Sequence, residues 1–368
     1  MRVLHVITDT NIGGAGRYLE NLVTQPAFSD LDVSVACPDG SLGDVLDSIG
    51  IERVPISGRD VSFSFPLTME LTRLFKRIKP DVVHTHSCLS GRLAAKSLKI
   101  PVVYTKHGEV LGLHSMAFPK KLLNKWASSL FSDKIIAVSN HVGRQLINSG
   151  VDPEKIVVIH NGIEISKFQP KNIDYLRSRE ERDQLLVGTL ARFDPVKRLD
   201  VLIEAARIVV NSLPEARFVL GGTGPMEEAM RRKIEDLRLE PYVRIAGFVE
   251  DVPAFLSELD LFALSSDSEG LGLAVIEAMA QGLPVVATAV GGVTEVVMDN
   301  ETGFLVPPGN PRAMAQCLVR LAIDPEMAAR MGRAGRKRAE ELFDARAMAR
   351  KTVEVYEEVL RDSVKRKD

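Results

Sequence analysis

The sequence predicts an α/β protein with two domains, each built around a parallel sheet. Short apolar runs alternate with helical patterns along almost the whole chain, which is typical of parallel βαβ units. The pattern occurs twice, and a strongly charged segment, residues 171–184, separates the two series. A chain of 368 residues, 45% of them hydrophobic, is long enough to bury two cores. We therefore expect two Rossmann-like domains that face one another.

Each series of apolar runs is expected to supply one sheet. The first series is residues 3–8, 33–37, 54–56, 82–85, 102–105, 135–138 and 156–159. The second begins near Leu185 and continues with residues 217–220, 243–246, 261–264 and 285–287. The expected domains are residues 1–168 and residues 169–344.

Composition narrows the class of protein. The net charge is −2, so we do not expect the extended basic surface of a nucleic-acid-binding protein. Cys37, Cys88 and Cys317 lack the spacing of a zinc site or a disulfide framework, which favours a reducing, cytoplasmic location. The chain opens on a strand pattern and contains no apolar run of transmembrane length, so we expect neither a signal peptide nor a membrane span.

A glycine-rich segment follows the first strand. Gly13, Gly14 and Gly16 precede an amphipathic helix, so this loop can pass close to a ligand and direct amide groups at a phosphate. A dinucleotide site of the G-x-G-x-x-G type is not favoured, because Leu19 occupies the place of the third glycine.

Histidines mark two neighbouring strand ends. His84 and His86 would share one face of the fourth strand, and two histidines without a third ligand make a poor metal site, so a structural role is favoured. His107 and Gly108 follow the next strand, where open α/β sheets bind ligands.

Residues 118–131 form a basic, amphipathic helical pattern. Lys120, Lys121 and Lys125 accompany apolar residues at helical spacing, and such a helix can lie on anionic lipid. Packing of the helix on its own sheet is the commoner alternative.

The sequence also contains a D-x-D motif, Asp30 and Asp32, of the kind that can hold a divalent metal ion. The two acids precede the second strand, at the end of the sheet opposite the expected site. This position indicates solvated turn acids rather than a metal site.

The second series places cations and glycines at strand ends. Arg192 follows its first strand and Lys197 comes just before a helix, so both can converge on one crevice; a solvated surface pair is the alternative. Gly222 lies in a glycine turn before the next helix, and Phe248 and Val249 follow the strand 243–246.

Ser265 to Thr288 is the stretch on which the chemistry depends. A buried strand leads into a polar turn that contains Glu269, and Gly270, Leu271 and Gly272 would then present the amides of a helix N-terminus to a phosphate. Glu277 would follow about 12 Å further along the helix axis. A nucleotide sugar fits this arrangement, with sugar hydroxyls on Glu269 and the ribose diol on Glu277.

This stretch, together with A-V-G-G-V-T-E-V-V after it, resembles the donor-site signature of the GT-B glycosyltransferases of retaining family 4. The T-x-H-G at His107 and the module that contains Arg192 and Lys197 are also similar to family motifs, and the resemblance covers essentially the whole chain. The sequence departs from the family where Arg198 replaces a glycine and where Gly16 replaces a common acid.

The resemblance implies roles for these residues. Arg192 and Lys197 would neutralise the donor diphosphate, His107 would reach the donor sugar, and Phe248 and Val249 would lie beside the base. The loop with Gly14 and Gly16 would contact donor phosphate. The first domain would bind the acceptor and the second the donor, and the last helix, residues 345–368, would cross back to the first domain.

The expected activity is transfer of a sugar, with retention, from a nucleoside diphosphate to a hydroxyl. A UDP-sugar is favoured as donor, with GDP-mannose next, and the product would belong to cell-envelope glycan or lipopolysaccharide biosynthesis. No metal and no separate cofactor is expected. The alternatives are a GT-B nucleotide-sugar epimerase and a non-catalytic sugar-nucleotide-binding protein.

Overall fold

The structure is a computed structural model that describes residues 1–109, 130–170 and 184–365. The chain forms two compact units, Met1–Gly162 with Ala345–Asp368, and Ile163–Asp344. The sequence analysis placed this boundary between residues 168 and 169. The basic pattern of residues 118–131 lies outside the described residues except for its last two, and the charged segment 171–184 except for its last.

The first unit is built on a seven-stranded parallel sheet in the order β3-β2-β1-β4-β5-β6-β7. Its strands are β1 (Arg2–Ile7), β2 (Asp32–Cys37), β3 (Glu52–Pro55), β4 (Val82–His86), β5 (Val102–Lys106), β6 (Lys134–Ala137) and β7 (Ile156–Val158). Valine and isoleucine dominate the central strands because helices cover both faces of the sheet. The strand order reverses between β1 and β4, and such a switch point is where open α/β sheets bind ligands.

The second unit repeats this design with six parallel strands in the order β10-β9-β8-β11-β12-β13. The strands are β8 (Leu185–Leu190), β9 (Ala216–Gly221), β10 (Val243–Gly247), β11 (Leu261–Leu264), β12 (Val285–Thr288) and β13 (Gly303–Val306). The expected α/β class with two parallel sheets is confirmed. The edge strand β13, which has four residues and begins with a glycine, was not among the predicted strands.

Helices connect the strands in both units. In the described part of the first unit they are α1 (Gly14–Val23), α2 (Ser41–Ser48), α3 (Phe65–Ile78), α4 (Leu89–Ser97) and α5 (Asn140–Asn148). Those of the second are α6 (Leu199–Ser212), α7 (Glu227–Asp236), α8 (Val252–Glu258), α9 (Leu273–Ala280), α10 (Val293–Val296), α11 (Pro311–Ile323) and α12 (Pro325–Leu342).

The last helix, α13 (Ala345–Lys365), returns to the first unit. Its residues Met348, Val355, Tyr356 and Val359 are buried in the core that also contains Leu19 of α1. Among the described helices, none is both long and apolar enough to cross a membrane.

Candidate functional site

Two loops of the second unit are fastened to each other at the carboxyl end of its sheet. The Ser265 hydroxyl donates to the Lys197 carbonyl at 2.9 Å, and the Asp267 amide donates to the Val196 carbonyl at 2.8 Å. The Thr288 hydroxyl donates to the Ser266 carbonyl at 2.6 Å and ties β12 to the same turn. These bonds bring residues far apart in the sequence to one point at the ends of β8 and β11.

Lys197 and Glu269 form an ion pair at this point. Lys197 Nζ lies 2.7 Å from Glu269 Oε1, and the Ser266 hydroxyl donates to the same oxygen at 2.7 Å. The two charged side chains are only 24% and 10% exposed. Oε2 of Glu269 has no hydrogen-bond partner in the part of the chain that the structure describes. The carboxylate is therefore fixed by one oxygen, and the other can accept a hydrogen bond from a hydroxyl beside a cation.

Arg192, the second predicted cation, lies at the end of β8. Its Nε is 3.1 Å from Asp194 Oδ2, and its side chain is 61% exposed. Both cations assigned to the diphosphate thus have a carboxylate partner before any ligand binds. An incoming diphosphate would compete with Asp194 for Arg192 and with Glu269 for Lys197.

The helix of the predicted phosphate site starts later than the sequence analysis assumed. Gly272, with φ 96°, caps α9, which begins only at Leu273. The first-turn amides are therefore those of Leu273, Ala274 and Val275 rather than of Gly270 to Gly272, and the Val275 amide already donates to the Gly272 carbonyl. Because Glu269 precedes the helix, the separation of about 12 Å from Glu277 along one axis does not apply.

The turn between Glu269 and α9 packs closely against the next loop. The Gly292 amide donates to the Glu269 carbonyl at 3.0 Å. A Cβ on Gly292 would lie 2.2 Å from the Gly270 carbonyl oxygen, so only glycine fits this crossing. Leu271 is buried, and Glu277, on α9, is 8% exposed.

The remaining predicted donor residues lie at neighbouring strand ends. Gly222 has φ 129°, and a Cβ there would lie 1.9 Å from the Ala191 carbonyl oxygen, so its glycine is required by the close approach to the end of β8. Phe248 follows β10 and is 55% exposed, while Val249 is partly buried. Arg192, Gly222, Phe248 and Glu269 therefore share one edge of the sheet.

Arg198, which replaces a glycine of the family motif, has a left-handed backbone. Its φ and ψ are 47° and 43°, a conformation that costs a non-glycine residue about 1–2 kcal/mol. The guanidinium contacts Asp200 at 3.1 Å and Asp267 at 2.9 Å, and these carboxylates raise its pKa. Asp267 belongs to the turn before Glu269, so the Arg198 side chain links the loop of Lys197 to the loop of Glu269. The backbone of Arg198 is strained in this arrangement.

Two substitutions separate these effects. Both Arg198→Gly and Arg198→Ala remove the ion pairs, but only the glycine relieves the left-handed strain. We expect the free energy of unfolding of the Gly variant to exceed that of the Ala variant by about 1 kcal/mol, measured by urea denaturation. An Ala variant of equal or greater stability would contradict the assigned strain.

The predicted glycine loop of the first unit differs from expectation. The helix α1 begins at Gly14, with Gly13 as its N-cap, so Gly14 and Gly16 lie in the first helical turn rather than in a loop before it. A Cβ on Gly16 would lie 3.2 Å from Leu42 Cδ1, so part of the requirement for a small residue is packing against α2.

His84 and His86, which are buried, and His107, which is partly buried, belong to one histidine cluster at the switch point of the first unit. Ring centroids are 4.5 Å apart for His84 and His86 and 5.2 Å apart for His86 and His107. A further member, His5 of β1, was not predicted; its ring centroid lies 4.8 Å from that of His84. The register of β1 against β4 pairs His5 with His84, so the strand order would have revealed it.

Burial keeps these histidines neutral. It lowers the pKa of His5 to about 3, and together with the nearby Lys106 it lowers the pKa of His107 to about 3. Burial first, and then the neighbouring rings, hold the pKa of His84 and of His86 well below the ordinary value of 6.5.

The cluster makes stability depend on pH. Between the lowered pKa values near 3 and the unfolded value of 6.5, the unfolded chain binds more protons than the folded one. Stability therefore falls as pH drops through this window, by at most about 1.4 kcal/mol per pH unit for each histidine. In His5→Phe the slope of the unfolding free energy against pH should decrease by up to about 1.4 kcal/mol per pH unit, the share of one histidine. Hydrogen exchange of β1 and β4 amides from pH 7 to 4.5 measures this slope. An unchanged slope would contradict a neutral, buried His5.

The two acids of the D-x-D motif have no place in this site. Asp32 is the first residue of β2, and its carboxylate lies 2.7 Å from Arg2 Nε at the amino end of the sheet. Asp30 is exposed in the preceding turn. In the described residues, one group of potential metal ligands comes together, His5, His84 and His86, whose ligand atoms lie within 4.8 Å of one another.

Both halves of the chain match family models. Residues 12–167 match the model for Glycosyltransferase Family 4, and residues 173–338 match the model for Glycosyl transferases group 1. The chain is 30% identical over 312 residues to the Escherichia coli UDP-Gal:alpha-D-GlcNAc-diphosphoundecaprenol alpha-1,3-galactosyltransferase, covering 80% of each protein. It is also 30% identical to the D-inositol 3-phosphate glycosyltransferase of Streptomyces scabiei, covering 77% of this chain and 69% of that protein.

Solved structures share the fold. The Anabaena protein HepE in complex with UDP-glucose matches with a TM-score of 0.86 at 23% identity, over 97% of this chain and all of that chain. Sucrose-phosphate synthase from Thermosynechococcus elongatus matches with a TM-score of 0.80 at 20% identity, over 98% of this chain and 99% of that one. The family models, the curated relatives and the two parallel sheets agree, and the chain therefore belongs to the GT-B glycosyltransferases of family 4.

Proposed function

We propose that this enzyme transfers a hexosyl group from a UDP-sugar to a hydroxyl acceptor, with retention of anomeric configuration, in the synthesis of a cell-envelope glycan. The partly buried pair of Lys197 and Glu269 carries the proposal. It places one cation, and one carboxylate oxygen that can accept a hydrogen bond, side by side at the carboxyl edge of the second sheet. A sugar diphosphate presents the matching anion and hydroxyls at adjacent positions.

The cations supply leaving-group stabilisation in this proposal. When the bond between sugar and diphosphate breaks, negative charge grows on the diphosphate, and Lys197 and Arg192 offset it. Preorganised charges in a partly buried site are worth far more than in water. Ser266 and Lys197 hold the carboxylate of Glu269 through Oε1. Glu269 then accepts hydrogen bonds from sugar hydroxyls and orients the sugar.

The base and ribose of the donor would occupy the neighbouring strand ends. Phe248 offers an exposed aromatic face after β10 for the base, and Glu277 on α9 would bind the ribose diol. Uridine is favoured because the Escherichia coli relative is named for a UDP-galactose donor and the Anabaena structure contains UDP-glucose. GDP-mannose is the second choice.

A nucleotide panel tests the donor. The melting temperature should rise with UDP and with at least one UDP-hexose, and more than with GDP or GDP-mannose, because at equal concentration the ligand that binds more tightly stabilises the folded protein more. Incubation with the selected donor should release UDP only when an acceptor is present. Release of a free epimer, or an unchanged donor, would instead support the epimerase or the non-catalytic alternative.

We also propose that catalysis needs no divalent metal, because Lys197 and Arg192 supply the positive charge. Turnover should therefore be unchanged within about twofold in EDTA, since the enzyme would lose no group that stabilises the diphosphate. Initial rates with and without excess Mg²⁺ measure this. Complete inactivation by EDTA that Mg²⁺ reverses would overturn the proposal.

The acceptor is proposed to be a sugar on a lipid diphosphate, presented at the inner face of the membrane. The Escherichia coli relative is named for an acceptor of this kind, and the basic pattern of residues 118–131 is suited to anionic lipid. Flotation with anionic liposomes tests this surface. Binding that persists after Lys120, Lys121 and Lys125 are all replaced by Glu would exclude it.

A further inference from the structure

Four exposed apolar side chains lie close together in the first unit, where the loop after β3 enters α3. They belong to Val61, Phe63, Phe65 and Met69, and the two phenylalanines are 56% and 68% exposed. Single exposed apolar side chains are normal on a protein surface, whereas a group of them usually marks a surface that binds a partner. We call these four residues the α3 patch.

The first half of the loop is fixed to the end of β1. The Asp60 carboxylate accepts hydrogen bonds from the Thr10 amide at 3.3 Å and from the Thr10 hydroxyl at 3.0 Å, and the Asp60 amide donates to the Thr8 carbonyl at 2.8 Å. Asp60 has a left-handed backbone, with φ 49°, which is uncommon for a residue other than glycine. These contacts define one conformation of the loop.

Ser62 and Ser64 fix the second half of the loop to the end of β4 and the start of α4. The Ser62 hydroxyl donates to the Ser87 carbonyl at 2.7 Å, and the Ser90 amide donates to the Ser62 carbonyl at 3.1 Å. The Ser64 amide donates to the Ser90 hydroxyl at 2.8 Å. Because these bound polar residues alternate with exposed apolar ones, the loop cannot bury its apolar side chains without breaking the hydrogen bonds.

The exposed face of α3 continues the patch and ends in basic residues. Phe65, Met69, Arg73 and Lys76 are all exposed, and they follow one another at intervals of four, four and three residues. Residues at these intervals share one face of a helix. The buried residues of α3 lie on the opposite face and are Leu67, Leu71, Leu74 and Phe75. The helix therefore presents an apolar start and a basic end on one side.

The segment is basic, and its two acids are bound within the protein. Residues 57–79 contain five lysines and arginines against two acids, a net charge of +3. Asp60 binds Thr10, and Glu70 accepts from the Ser57 amide at 3.0 Å. The cations are Arg59, Arg73, Lys76, Arg77 and Lys79, which are all exposed and have no ionic partner in the described part of the chain.

We infer that the α3 patch docks the first unit on an anionic lipid surface, with its apolar side chains among the acyl chains and the neighbouring cations at the headgroups. A helix with an apolar and basic exposed face is suited to the membrane interface, and each cation near an anionic leaflet adds to the attraction. A second copy of this chain fits less well, because a twofold contact would bring the same cations of both copies together. The inference extends the proposed function, in which the acceptor is a lipid, but it uses neither the donor site nor residues 118–131.

Flotation of the full chain with vesicles tests the inference. Vesicles of equal amounts of phosphatidylglycerol and phosphatidylcholine carry no acceptor, so binding reports the surface and not the reaction. Replacement of both Phe63 and Phe65 by Ser should lower the partition coefficient at least about tenfold, because two aromatic side chains no longer leave water. Ile323→Ser is the matched control, since Ile323 is also 68% exposed but lies at the end of α11 in the second unit. It should bind like the wild-type protein, and melting curves verify that both variants fold.

A tryptophan in the patch distinguishes insertion from attraction of charges alone. Trp126 is the only tryptophan of the sequence, so Phe63→Trp in a Trp126→Phe background gives a single probe. On vesicle binding its fluorescence should shift to shorter wavelength, and lipids brominated on their acyl chains should quench it. An unshifted and unquenched probe in the bound protein would overturn the insertion of the patch.

Two further outcomes would overturn the inference. Vesicle binding that the triple Lys→Glu variant of residues 118–131 loses and the double serine variant keeps would assign the membrane contact to that segment alone. Dimerisation that the serine substitutions abolish, without vesicle binding by the wild-type protein, would assign the patch to a second copy. Donor-dependent release of UDP with a soluble acceptor is measured without vesicles, so a failure of the proposed function would be recognised separately.

Discussion

Lys197→Ala should lower kcat/KM by about 10²–10³-fold, the effect of removing one preorganised electrostatic group. The substitution removes the cation assigned to the leaving diphosphate and leaves Glu269, whose side chain is 10% exposed, without its ionic partner. That uncompensated carboxylate would also repel the diphosphate. The loss should therefore appear in the affinity for UDP as well as in kcat, measured by calorimetric titration and by initial rates.

The control for Lys197→Ala is Lys233→Ala. Lys233 also forms an ion pair with a glutamate of the second unit, Glu204, but both residues lie on helices, α6 and α7, rather than in the strand-end loops. Its replacement should leave both UDP affinity and kcat/KM within about twofold, because the pair contains none of the residues assigned to the donor. A Lys197→Ala enzyme whose kcat/KM matched the Lys233→Ala control would remove Lys197 from the donor site.

If His107 reaches the donor sugar, as the resemblance implies, His107→Ala should reduce kcat by about 10²-fold, because the sugar would lose a hydrogen-bond partner and the orientation that it imposes. The affinity for UDP alone should hardly change, since the cations proposed to bind the diphosphate, Arg192 and Lys197, are left in place. The measurement pairs single-turnover rates with UDP titration, and a melting curve verifies folding.

His107→Gln separates a missing acceptor from a damaged fold. The amide has both donor and acceptor atoms and can still hydrogen-bond to His86 and to a hydroxyl, so this variant should lose less activity than the alanine variant. His84→Ala is not a neutral comparison, because His84 is fully buried and bonded to Tyr356 and Thr105. Normal turnover in His107→Ala with an ordinary melting curve would exclude a role for His107 at the sugar.

Most strands were predictable because buried parallel strands are nearly uninterrupted runs of valine, isoleucine and leucine. The strand β13 was missed because it is four residues long and lies at the sheet edge. The start of α9 was misplaced because in G-L-G the second glycine is a left-handed cap rather than part of the helix. A run of glycines fixes the existence of such a turn but not the residue at which the helix begins.

The candidate site was predictable as a set of strand-end residues but not as a set of contacts. Arg192 and Glu269 follow apolar runs and Lys197 comes just before a helix, so their common edge follows from the parallel fold. The ion pair of Lys197 and Glu269 depends on hydrogen bonds between two loops about 70 residues apart, which no local pattern encodes. His5 was missed for the same reason, because its partners come from β4 and α13.

Titration of the Glu269→Gln variant with UDP and with UDP-glucose tests most directly whether Glu269 binds the donor sugar and Lys197 the diphosphate. The carboxylate of Glu269 competes with the diphosphate for Lys197, so its neutralisation should leave UDP binding unchanged or tighter. The same change removes the acceptor for sugar hydroxyls, so the affinity for UDP-glucose should fall at least about tenfold. Equal weakening of both ligands would contradict the assignment of Glu269 to the sugar and of Lys197 to the diphosphate.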